Sequence, residues 1–199
     1  MIYIVMNKPA GYVCSAVSDS HKTIYSLLTP ELQSLLNQKR GARLHTIGRL
    51  DCETSGLIFL TTDGYFSNYL TRPENHVSKK YLVTLRDPVS KQEQETYAAQ
   101  FSKGVILPAE KKSPETPAGP AQIDFLSQNQ CVVTISEGKF HQVRRMFLAV
   151  KNEVIELKRI AIGSYSLPKT LAEGQYLIFD KAISVDKSTA ASDQNIPDR

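Results

Sequence analysis

The run Gly48-Arg49-Leu50-Asp51-Cys52-Glu53-Thr54-Ser55-Gly56-Leu57 sets one carboxylate between a cation and a Thr-Ser-Gly turn. The apolar stretch Leu57-Ile58-Phe59-Leu60 follows at once. Turns accept Gly, Asn, Asp and Ser in nearly any order, so the placement of Asp51 beside Arg49 at a strand's entrance asks for another reason. A lone carboxylate there can attack a carbon, abstract a proton, or merely cap its own turn. The first two roles need the ionised form, which burial opposes and a nearby cation restores. Neighbouring candidates carry less. Cys52 has no base at a recognisable spacing and reads as a small packed side chain. Ser55 lacks the Gly two residues before it that a hydrolase elbow needs. Glu53 reads as solvated. The histidines (His21, His45, His76 and His141) have no metal-ligand spacing, so no metal is expected.

These residues need elements to hold them. Short runs rich in β-branched or aromatic residues predict strands at Tyr3 to Met6, Leu57 to Thr61, Tyr81 to Leu85, Gln122 to Phe125, Val132 to Ser136 and Tyr176 to Phe179. Thr29 before Pro30 and Glu31 predicts a capped helix start, with Leu32, Leu35 and Leu36 on one face. Ser90 with Glu93 forms a capping-box pattern, and Gly104 closes that helix. A third helix is expected from about Phe140 to Val150, with Val143, Met146, Phe147 and Val150 toward the core. The three prolines and one Gly of Lys111 to Pro120 predict a loop between two halves. The tail from Lys187 to Arg199 has no apolar periodicity and is expected to be disordered. Strands do not alternate simply with crossover helices, so the expectation is an α/β protein of the α+β type: a mixed, largely antiparallel sheet carrying helices.

Composition sets the class. The 199 residues are 41% hydrophobic and 22% charged, which suits a globular chain with a real core. No run approaches a membrane span of about 18 apolar residues, and Met1 to Met6 reads as a first strand, not a leader. Three cysteines without paired spacing suit the reducing cytoplasm. A net charge of +4 is mild. Its placement at Lys79-Lys80, Lys111-Lys112, Arg144-Arg145 and Lys158-Arg159, interleaved with Tyr81, Phe140 and Phe147, suits a polyanion with stackable bases. No Gly-rich phosphate fingerprint is present.

The Asp51 loop resembles the catalytic loop of pseudouridine synthases. Further blocks of that family's pattern follow in order: Lys80-Tyr81-Leu82-Val83-Thr84, then Glu137-Gly138-Lys139-Phe140-His141-Gln142-Val143-Arg144-Arg145-Met146, then Leu157-Lys158-Arg159-Ile160 with Gly163. Asn7-Lys8-Pro9-Ala10-Gly11 resembles the opening motif, and Ala172-Glu173-Gly174-Gln175-Tyr176 the closing turn. Tracts such as Tyr12-Val13-Cys14-Ser15 and Thr134-Ile135-Ser136-Glu137 lean toward the branch acting on 16S ribosomal RNA, the RsuA family. The resemblance implies the pseudouridine synthase fold, with two subdomains around a central cleft over residues 1–186. It also implies roles. Asp51 is the catalytic residue, Tyr81 lies against the target uracil, and Arg144 pairs with the carboxylate. Arg49, Lys80 and Arg145 bind substrate, Arg145 through phosphate, and Leu157 borders the uracil pocket. No cofactor is implied, because the reaction involves neither redox change nor phosphate transfer. Most members of the branch carry a small RNA-binding domain ahead of the catalytic one, and that domain is expected to be lacking here.

The expected function is isomerisation of a specific uridine in 16S RNA, on pre-ribosomal particles in the cytoplasm, by a monomer. A uridine inside folded RNA must be flipped out first. Two alternatives stay open at this point: the same chemistry on 23S RNA, and a non-catalytic RNA-binding or ribosome-assembly module with Asp51 as a structural cap.

Overall fold

The computed structural model describes residues 1–39, 42–110 and 113–179. The tail from Lys187 and the pair Lys111-Lys112 lie outside the described residues. Seven strands form the main path of a nine-stranded sheet: Tyr3–Lys8 (β1), Thr54–Thr61 (β2), Lys79–Leu85 (β3), Gln122–Phe125 (β4), Gln130–Ile135 (β5), Val154–Ile162 (β6) and Tyr176–Phe179 (β7). Their order is β7-β1-β2-β6-β3-β5-β4, with His45–Thr46 added beside β2 and Tyr165–Ser166 beside β6. Every pair is antiparallel except β2 with β6. The sheet is therefore mixed and largely antiparallel, and β1 is buried along its whole length.

Strand β6 was not legible as a strand. Its alternation is broken by register shifts between Val154 and Glu156 and between Arg159 and Ala161, and Lys158-Arg159 reads as a surface cluster. Yet it stands at the centre of the sheet. Leu157 lies opposite Thr54 on one side and Val83 on the other, and Arg159 lies between Gly56 and Tyr81. Gly56 is required there: its φ is +102°, and an added Cβ would sit 2.2 Å from the Arg159 carbonyl oxygen.

Among the described residues, four α-helices flank the sheet: Pro30–Ser34 (α1), Gly64–Thr71 (α2), Lys91–Lys103 (α3) and Gln142–Ala149 (α4). Thr29 takes the N-cap position with Pro30 behind it, but its hydroxyl makes no capping bond to the helix. The Ser90–Glu93 capping box is fully formed. Helix α2, absent from the sequence expectations, is capped by Asp63, whose carboxylate accepts from the Tyr65 and Phe66 amides. Helix α4 buries Val143, Met146 and Phe147. Phe147 meets Phe101 of α3 edge-on at 5.3 Å, which packs α4 against α3. It starts two residues later than expected because His141 has a left-handed backbone, φ +46°. Within Lys111 to Pro120, Thr116–Pro117 pairs with Ile106–Leu107, so that stretch is more than a free loop.

Candidate active site

The loop from Asp51 to Thr54 is held by its own backbone oxygens. Asp51 O accepts from the Thr54 amide at 3.1 Å, and Cys52 O from the Gly11 amide at 2.9 Å. Glu53 O accepts from Arg144 Nη2 at 3.4 Å. Beneath them lies Lys8, fully buried, whose Nζ donates to Pro9 O at 2.9 Å, Cys52 O at 3.1 Å and Thr54 O at 2.7 Å. Burial pushes the Lys8 ammonium below its ordinary pKa, with Cys14, Cys52, Glu53 and Asp51 opposing that drop. The cation spends its donors on carbonyls, and these fix the turn from which the Asp51 side chain, 40% exposed, projects.

Asp51 faces a cleft of about 710 Å³ whose floor is the central sheet and whose walls are the 135–143 segment and the loops near residues 14, 48 and 72. Tyr81 and Leu157, both buried, line the floor beside Asp51, and Arg49 stands exposed at the mouth. Four of the expected site residues thus meet in one place.

The remaining three do not. Lys80 is exposed, on the opposite strand face from Tyr81, and Lys79 enters the cleft instead, as strand alternation requires. Arg144 does not reach the Asp51 carboxylate; besides Glu53 O, its guanidinium donates to Val154 O at 3.0 Å. Arg145 is not placed for phosphate. It is 1% exposed, and it donates to Pro108 O at 2.9 Å, Phe140 O at 3.2 Å, Leu107 O at 3.4 Å and Pro114 O at 2.7 Å. One helical residue is a turn of about 100°, so adjacent arginines leave α4 in different directions.

Sequence reasoning passed over three cleft residues. Arg159, 4% exposed, donates from Nε to Leu57 O at 2.7 Å. Its Nη2 and the buried Thr54 hydroxyl have no hydrogen-bond partner among the described residues. Lys79 is pushed below its ordinary pKa by burial and, secondarily, by Arg159. The floor therefore carries two cations and unspent hydrogen-bonding capacity, which suits an oxygen-rich anionic ligand. His141 brings Nε2 within 3.7 Å of Asp51 Oδ1. The signal for Arg159 was present in the Leu157-Lys158-Arg159 motif; that for His141 was its place ahead of Gln142-Val143-Arg144.

The turn before α4 is braced by Glu137, which accepts from the Gly119 amide at 2.9 Å and from Gln142 Nε2 at 2.6 Å and pairs with Lys139. Burial alone would push the Glu137 carboxyl up; its bonds from Lys139, Gly119 and Gln142 outweigh this and hold it below the usual range.

A family model described as RNA pseudouridylate synthase matches residues 2–149. The chain belongs to the RNA pseudouridylate synthase family. It is 42% identical over 174 residues to ribosomal small subunit pseudouridine synthase A of Salmonella typhimurium, spanning 87% of this chain and 68% of that protein. The Haemophilus influenzae protein of the same name is 41% identical over the same share of each chain. A crystal structure of a pseudouridylate synthase superposes with a TM-score of 0.76 at 41% identity, covering 89% of this chain and 69% of that one. An archaeal box H/ACA ribonucleoprotein superposes with a TM-score of 0.57 at 16% identity, over 87% of this chain and 51% of that one, a likeness of fold alone.

As a pseudouridylate synthase the chain is an isomerase. Its reaction breaks the bond from ribose C1′ to uracil N1, turns the base and joins C1′ to C5, while the C5 proton leaves and N1 gains one. Atoms and electrons balance without a redox partner.

Proposed function

We propose that this chain converts a uridine of 16S ribosomal RNA, within small-subunit precursor particles in the cytoplasm, to pseudouridine, acting as a monomer. The observation that carries the reading is the Asp51 carboxylate projecting into a cleft floored by Tyr81 and Leu157. Asp51 is the reacting group, Tyr81 stacks on the flipped base, and Leu157 borders it. Lys79 and Arg159 bond the oxygens of the flipped nucleotide, and Arg49 at the mouth meets flanking phosphate. These contacts offset the few kcal/mol that flipping costs. Both curated relatives described above are small-subunit enzymes by name, which supports the 16S target. The close fit of a carboxylate, an aromatic ring and an apolar side chain favours catalysis over a passive binding module.

Two measurements test this. Asp51→Asn keeps the side chain's shape and removes its charge, so tritium release from C5-labelled RNA should vanish while RNA affinity stays within a few-fold. Turnover at the wild-type rate would overturn the assignment. Carbodiimide and primer-extension mapping of ribosomal RNA from cells with and without the protein should show one position lost from 16S RNA. Loss confined to 23S RNA would reverse the target.

A further inference from the structure

His141 is bonded on one ring nitrogen and charged against on the other. Its Nδ1 lies 2.9 and 3.1 Å from the two Glu110 carboxylate oxygens, and a carboxylate only accepts, so Nδ1 carries a hydrogen. Nε2 lies 3.7 Å from Asp51 Oδ1, beyond a direct hydrogen bond but within ion-pair range. A neutral ring would then turn a lone pair toward an anion, whereas an imidazolium satisfies both carboxylates. The side chain is 18% exposed. The Phe140 ring stacks on it at 3.8 Å and 17°, and the left-handed backbone at 141 is one that His adopts more readily than most residues. Position, tilt and hydrogen placement are therefore all constrained.

The charged groups around this ring come from several elements. Asp51 belongs to the catalytic loop, and Glu110 follows the Ile106–Leu107 strand. Glu137 and Lys139, from the turn before α4, pair with each other. Arg49, Lys79 and Arg159 line the same cleft. Arg144 bonds carbonyls, so among the described ion pairs of Asp51, His141 is the partner.

We propose that His141, clamped through Nδ1 by Glu110, is a positioning residue that holds the Asp51 carboxylate in its reactive orientation. The inference rests on Asp51 being the reacting carboxylate. It predicts that losing His141 or its Glu110 clamp falls on the chemical rate at saturating RNA and spares RNA affinity.

The test is single-turnover pseudouridine formation at saturating RNA, with RNA affinity and thermal melting measured in parallel. His141→Asn, which tolerates the left-handed backbone, should lose about 10²-fold in rate and bind RNA as the wild type does. Glu110→Gln keeps the shape of the clamp and an acceptor for Nδ1, so it should melt near the wild-type temperature and lose less rate than His141→Asn, again without losing affinity. A His141→Asn rate equal to wild type overturns the proposal, as does a loss of RNA affinity as large as the loss of rate. Turnover by Asp51→Asn would instead bring down the reading underneath, whatever the His141 variants do.

Discussion

Two loops meet at His141, and each is pinned from below by a buried cation that spends its donors on backbone carbonyls. Lys8 holds the 51–54 loop through two of them, at Cys52 and Thr54, and Pro9 through a third. Arg145 holds Leu107, Pro108, Pro114 and its neighbour Phe140 through four. The outcomes differ. The first loop aims Asp51 into the cleft, while the second aims Glu110 at the histidine that faces Asp51. A lysine is a compact charge whose proton burial disfavours, whereas an arginine stays charged and forks across several acceptors. The stiffer cation braces the support, and the softer one lies beneath the Asp51 loop. A basic residue in this protein can thus be spent entirely on bracing backbone.

The comparison is broken most directly at Arg145. Arg145→Met leaves four carbonyls without the buried guanidinium that donates to them, and a loss of about 3–5 kcal/mol is expected. For a chain of this size that lowers the melting temperature by roughly 10 °C. A variant that melts like wild type but binds RNA with a shallower salt dependence would return Arg145 to phosphate contact and undo the contrast.

Lys8→Met should cost less stability, about 2 kcal/mol, because removing a buried ammonium also removes its desolvation penalty. Its effect should appear in chemistry. A catalytic loop displaced by an ångström loses about 10²-fold in rate, so single-turnover rates should fall far more than RNA affinity. Equal losses in both would mean that Lys8 supports the fold and not the loop.

Arg144→Met is the mildest. Its guanidinium bonds two carbonyls, one of them at 3.4 Å, and about 1 kcal/mol is at stake. The rate should drop modestly, through the Glu53 end of the loop. A collapse as deep as that of Asp51→Asn would show that Arg144 turns to the carboxylate when RNA is bound.

Much of this site was readable from residue order. The Asp51 loop, Tyr81, Leu157 and the helix-start block lie in short local motifs, and local motifs survive as text. Lys79 could have been preferred to Lys80, since alternation puts it on Tyr81's face. Giving Arg144 the carboxylate and Arg145 the phosphate rested on the motif alone. The geometry depends on the rotational phase of α4, and that phase begins at the left-handed His141, a conformation the residue type permits but does not specify. Strand β6 was hidden for a related reason: two register shifts break its period, and its buried Arg159 looks like surface charge until flanking strands cover it.

The order of residues by itself determined the family pattern, the strand-rich α+β class, the capping box at Ser90 and the candidate carboxylate, Asp51. Each of these is written in neighbours a few positions apart, where backbone geometry and local bonding decide. Only the tertiary structure decided which cations face the cleft and which are spent on carbonyls. It also decided that His141 stands between Glu110 and Asp51, contributed by three segments far apart in the chain. Such contacts exist only after the sheet has paired β2, β6 and β3, because charge and hydrogen bonding act through space and a sequence records only distance along the chain.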